Sequence, residues 1–144
     1  MTKTFDMQFI RYINLFGRVT RITAKHCFLY NNTLVFVVSR NQIEEAIGKN
    51  NSNLRKLSEI LGKRIRVIAE PHSIKDLKSF VSVLVSPIKF DSLEIAKGSD
   101  GSEEVVIKAD LEGRSMLIGR NKARLEELKQ IIEQYFEIKN VRIG

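Results

Sequence analysis

A tetrapeptide made of an isoleucine, a glycine, a basic residue and an asparagine occurs twice, as Ile47-Gly48-Lys49-Asn50 and as Ile118-Gly119-Arg120-Asn121, 71 positions apart. The same offset carries the apolar residues behind it: Leu54, Leu57, Ile60 and Leu61 map onto Leu125, Leu128, Ile131 and Ile132. Ahead of it, Leu34-Val35-Phe36-Val37-Val38 maps onto Val105-Val106-Ile107-Lys108-Ala109. A strand-like run, a short gap, a glycine turn and an amphipathic helix thus recur in register, which constrains the chain to two copies of one supersecondary unit. Half of 144 residues makes a small core, so the copies are expected to lean on each other across an apolar interface.

The elements of each copy follow from local signals. Phe9, Ile10, Ile13 and Phe16 lie at helical spacing, with Gly17 placed to stop the helix. Residues 22–30 and 33–38 read as strands joined at Asn31-Asn32, since asparagine tolerates the positive φ of a tight hairpin. A short helix over residues 42–47 meets the Gly48 turn, a longer one covers residues 51–61 and ends at Gly62, and Ile65-Arg66-Val67-Ile68 is a closing strand. Pro71 marks the boundary, giving domains 1–71 and 72–144. In the second, Ser73 is an N-cap with Asp76 three residues on, a variant of the capping box, and Ile74, Leu77, Val81 and Leu84 share a helical face that Pro87 ends. Strands near 88–95 and 104–109, a helix to Ile118, the Gly119 turn, a helix to about Phe136 and a strand at Val141-Arg142-Ile143 complete it. The order α-β-β-α-α-β, read twice, defines an α+β fold of two three-stranded sheets with helices on one face.

Charge is distributed unevenly between the copies. The net charge is +7, yet residues 1–71 hold twelve Lys and Arg against five Asp and Glu, and residues 72–144 hold twelve against twelve. A sequence pI near 9.7 favours a polyanionic partner without separating nucleic acid from an acidic membrane surface. Asp6 and Arg11 interrupt the apolar run from Phe5 to Phe16, so no signal peptide is expected there, and no segment approaches the apolar length that spans a bilayer. The expected location is the cytoplasm, without membrane association. The single Cys27 forms no internal disulfide, in keeping with a reducing compartment.

The glycine turn is where a ligand is expected. A glycine between two helices lets a ligand approach without meeting a Cβ. The next helix offers its positive end there, and Lys49 or Arg120 adds a full charge. That chemistry suits a sugar-phosphate backbone, with bases reaching side chains near Ala46-Ile47 or Leu117-Ile118. Arg55 and Lys122 are supporting charges, while Glu126 and Glu127 are expected to offset the field of the second turn.

This element order, with a glycine loop between paired helices, resembles the type II KH domain, and tandem copies resemble the KH pair of the NusA transcription factors, most nearly the short archaeal ones. The likeness covers nearly the whole chain. The family's GXXG loop clamps the backbone of about four nucleotides. Here Gly48-Lys49-Asn50-Asn51 and Gly119-Arg120-Asn121-Lys122 keep only the first glycine. Asn51 accepts a left-handed conformation in the fourth position more readily than Lys122 does, so the second loop is expected to be tilted or to start its helix early. The resemblance implies single-stranded RNA binding in transcription termination or antitermination on nascent transcripts, with RNA polymerase or associated factors as further partners. Its implied contacts are Gly48, Lys49, Asn50, Asn51, Arg55, Gly119, Arg120, Asn121 and Lys122. A protein-interaction adaptor with degenerate loops and a ribosome-associated RNA binder are the competing readings.

Enzymatic chemistry has little to stand on in this sequence. His26 and Cys27 are strand neighbours and point to opposite faces, which indicates neither a nucleophilic couple nor a metal site. Gly48-Lys49 lacks the P-loop pattern. Residues 98–103 lack the alternating carboxylates of a calcium loop. No cofactor is expected.

Overall fold

The turn at Asn31-Asn32 organises the first half of the fold. In the computed structural model, which describes residues 6–144, both asparagines take positive φ, 51° and 63°, the backbone that a two-residue hairpin turn requires. It joins β1 (His26–Tyr30) to β2 (Thr33–Val38) in an antiparallel pair that sets Tyr30 opposite Thr33. β3 (Arg64–Ala69) lies parallel to β2 on the other side. The most apolar strand is therefore central, and every residue along it is buried. A parallel neighbour demands a crossover connection, which α2 (Ile43–Ile47) and α3 (Ser52–Leu61) supply. The glycine turn thus sits in the one connection this sheet cannot do without.

Leu34, Phe36 and Val38 alternate onto one face of β2 and meet Phe16 of α1 (Asp6–Thr20), Ala46 of α2, Leu57 of α3 and Ile65 of β3 in a single apolar cluster. Phe16 and Phe36 stack at its centre, ring centroids 4.4 Å apart. Cys27 borders the same cluster while His26, next to it, is exposed, as strand alternation requires; burial pushes the Cys27 thiol above its ordinary range.

Described residues fall into two units divided between Glu70 and Pro71, and the second repeats the order of the first. α4 (Leu77–Val85) precedes β4 (Ser92–Lys97) and β5 (Glu103–Lys108), which pair antiparallel. α5 (Leu111–Ile118) and α6 (Ala123–Phe136) cross over to β6 (Asn140–Ile143), parallel to β5. The repeat offset matches fully buried pairs: Leu34 with Val105, Phe36 with Ile107, Ala46 with Leu117, Leu57 with Leu128. Phe36 with Ala46 and Ile107 with Leu117 carry the same number of side-chain carbons, so one copy fills with a ring and a methyl what the other fills with two branched chains.

Several boundaries differ from the sequence reading. α1 continues through Gly17 to Thr20, held by Thr20 Oγ1 donating to the Phe16 carbonyl at 2.8 Å, and Arg21, not Gly17, turns left-handed with φ 66°. Ile10 is 52% exposed, so the core face of α1 runs through Phe16 and excludes it. Residues 22–25 lie outside β1 because the Ile22 amide bonds Thr20 Oγ1 at 3.1 Å and the strand pairing begins at His26. β4 likewise begins at Ser92, four residues after the expected start. Ser73 does cap, its Oγ accepting from the Lys75 amide at 3.2 Å, but Asp76 accepts from His72 N at 2.7 Å and so reaches one residue beyond the reciprocal box.

Candidate functional site

α2 ends when the Gly48 amide donates to the Glu44 carbonyl, 3.0 Å. Gly48 then takes φ 81°, ψ 166°, a region open in practice only to glycine. Asn50 (φ 56°, ψ 36°) and Asn51 (φ 61°, ψ 26°) follow in left-handed conformation, the Asn51 amide closes back on the Gly48 carbonyl at 3.2 Å, and α3 begins at Ser52. Asparagine is the residue other than glycine best suited to that backbone. Lys49, Asn50 and Asn51 are all exposed at the amino end of a ten-residue helix, where the helix dipole and free amides favour a negative group.

The second loop reproduces this backbone angle by angle. Gly119 has φ 76°, ψ 171°, Asn121 φ 56°, ψ 28°, and Lys122 φ 63°, ψ 20°; the bonds from Gly119 N to Ser115 O, 2.9 Å, and from Lys122 N to Gly119 O, 3.2 Å, match as well. The tilt or early helix start expected at Lys122 does not occur. Lys122 accepts left-handed strain because the same flanking helices fix both ends of the turn. α6 begins at Ala123, and Arg120, Asn121 and Lys122 are exposed.

Each glycine is needed for a second reason. A Cβ on Gly119 would lie 2.7 Å from Arg124 Cγ and 2.9 Å from the Arg124 backbone nitrogen, and one on Gly48 would lie 2.7 Å from Ser52 Oγ. The loops are pressed against the first turn of the helix they precede. In the first copy Asn53 Nδ2 ties that turn to the carbonyls of Glu45, 3.3 Å, and Ala46, 3.1 Å. In the second, Arg124 holds the corresponding place, its Nε 3.0 Å from Glu127 Oε1. Asn53 was not singled out by sequence, whereas Arg124 was expected to add positive charge at the second loop; the signal for Asn53 was its position one turn past the glycine, at the repeat offset.

The structure groups the expected residues with some reassignment. Arg55 donates to the Asn50 carbonyl, so it braces the loop from behind as well as charging it. Its partner at the repeat offset is Glu126, which has no such bond to its loop and pairs with Lys129 at 3.7 Å. Glu126 and Glu127 face Lys129 and Arg124 along α6, and neither is in an ion pair with Arg120 or Lys122. Among the described residues no ion pair involves Lys49, Arg120 or Lys122. Ala46 and Leu117 are fully buried and unavailable to a base, whereas Ile47 and Ile118 are half-exposed beside each loop. Arg66 of the Lys63-Arg64-Ile65-Arg66 run is half-buried, and burial lowers its pKa; Arg64 is exposed. No group of three metal-ligating side chains occurs among the described residues, and no described helix is long and apolar enough to cross a membrane.

A family model for the KH domain matches residues 11–97, from α1 of the first unit into β4 of the second. A probable transcription termination protein NusA of Halococcus morrhuae is 22% identical over 144 residues, covering 100% of both chains. The protein of the same name from Methanococcus vannielii is 27% identical over 135 residues, 93% of this chain and 75% of that one. Among solved structures, the crystal structure of APE1850 superposes with a TM-score of 0.69 at 28% identity, over 96% of this chain and 99% of the other.

Proposed function

We propose that this chain, which belongs to the KH domain family, binds single-stranded RNA through two KH type II domains, residues 1–71 and 72–144, and acts on nascent transcripts in termination or antitermination. The observation that carries the reading is the repeated loop: two turns 71 residues apart share every left-handed angle although their fourth residues are Asn51 and Lys122. A backbone preserved at conformational cost in both copies is a backbone selected for what it holds. Gly48 and Gly119 supply the positive-φ turn, Lys49 and Arg120 neutralise a phosphate at it, the exposed Asn50 and Asn121 lie beside it, and Asn51 and Lys122 complete the turn into the helix dipole. Arg55 steadies the first loop from behind.

The transcriptional role draws on the archaeal relatives that carry the name probable transcription termination protein NusA. RNA polymerase or its associated factors are the further partners this role requires. The chemistry is reversible phosphate and base contact, without catalysis or a cofactor.

Splayed bases fit a KH groove and paired bases do not. Filter binding of the whole protein to a single-stranded RNA pool, a hairpin stem and duplex DNA of equal charge, each at two salt concentrations, tests the claim. The single strand is expected to bind most tightly and to weaken as salt rises. Equal affinity for all three rejects the KH mode, and no affinity for any of them points to an adaptor that keeps the fold without the ligand.

A further inference from the structure

α6 is one turn longer than α3, fourteen residues against ten, and ends differently. α3 stops at Gly62 in left-handed conformation (φ 65°, ψ 26°), the ordinary glycine cap. α6 stops at Glu137 in the same conformation (φ 59°, ψ 31°), where a side chain is strained. The added turn brings Tyr135 and Phe136, both packed on Phe80 with ring centroids 5.1 Å and 5.8 Å away. Together with Pro71, His72, Ser73 and Ile74, the residues 135–137 enclose an open cavity of about 230 Å³. The first unit's shorter helix has no such turn.

The cavity is smaller than the sites that take drug-sized ligands or cofactors, and it suits a single side chain. Tyr135, Phe136 and the exposed Ile74 line it, and its acidic or basic lining residues are Glu137, which is exposed, and His72. A carboxylate beside aromatic residues repels a phosphodiester strand and attracts a cation, and a planar guanidinium both stacks on a ring and pairs with a carboxylate. The cavity also lies at the opposite end of α6 from the Gly119 loop, about 20 Å away at the helical rise. We infer that this cavity is a docking site for an arginine side chain of a protein partner, usable while the loops hold another ligand.

The test is NMR of the whole isotope-labelled protein titrated with N-acetyl-arginine methylamide, with N-acetyl-norleucine methylamide and with a short single-stranded RNA. The arginine amide is expected to give saturable shifts at His72–Ile74 and Tyr135–Glu137 that the norleucine amide does not. Glu137→Gln and Tyr135→Leu should each weaken that binding about three- to fivefold. Glu137→Gly should weaken it likewise while raising the melting temperature by about 2–5 °C, since it removes both the carboxylate and the strain. Equal shifts from norleucine, unchanged arginine affinity in Glu137→Gln, or stronger shifts of these amides by RNA than by arginine would overturn the assignment.

Discussion

Lys122 is the residue on which the two loops might have parted company, and its φ of 63° shows that they did not. A lysine at that angle stores strain that a glycine would release, whereas Asn51 at φ 61° stores less. Lys122→Gly is therefore expected to raise stability by about 0.5–1 kcal/mol and Asn51→Gly to change it little, the gain being partly offset by the freer unfolded chain. Thermal melts of the two variants check this. Gly119→Ala runs the other way. It places a methyl against the Arg124 backbone and forces a ψ near 171° at positive φ, so a loss of about 2–4 kcal/mol is expected in a chemical denaturation series. The glycines and their basic neighbours were legible in sequence because they repeat; the conformation of Lys122 was not, because residue preference disfavoured it and only the fixed helix ends impose it. Glu137 was illegible because residue preference likewise disfavours its conformation.

At the scale of elements, β2, α2 and α3 could be read almost to the residue because Asn31-Asn32, Gly48 and Gly62 each mark an end with a physical stop. α1 was misjudged at Gly17, where the side chain of Thr20 satisfies the last turn and carries the helix three residues further. What periodicity could not reveal is that each third strand is parallel to the central one, since side-chain alternation is the same in either direction. The exchange of Phe36 with Ala46 for Ile107 with Leu117 gives a quantitative check on core packing. Phe36→Ile alone leaves a void and Ala46→Leu alone overfills, each expected to lose about 1–3 kcal/mol. Because both belong to one cluster, the double variant should recover at least about 1 kcal/mol of the summed loss in a double-mutant cycle. Strict additivity would mean that the two positions do not share their space.

Across the whole molecule the positive excess lies before His72, but the free loop cations do not follow that asymmetry. The first loop offers Lys49 and Arg55, whose bond to the neutral Asn50 carbonyl leaves its charge in place, and the second offers Arg120 and Lys122 with their acidic neighbours paired elsewhere. Neutralising Lys49 should then reduce the slope of log affinity against log salt by about 0.7, and neutralising Arg120 with Lys122 by about 1.4, on a single-stranded RNA. The fold distributes these charges over two copies of one turn, and the claim that both turns grip the phosphate backbone is tested most directly by reversing one charge in each. In the Lys49→Asp, Arg120→Asp double variant, affinity for single-stranded RNA should fall by at least about a hundredfold, with the circular dichroism spectrum and melting temperature unchanged because both side chains are exposed. Binding retained at wild-type strength by that folded variant would contradict the account and place the ligand elsewhere on the protein.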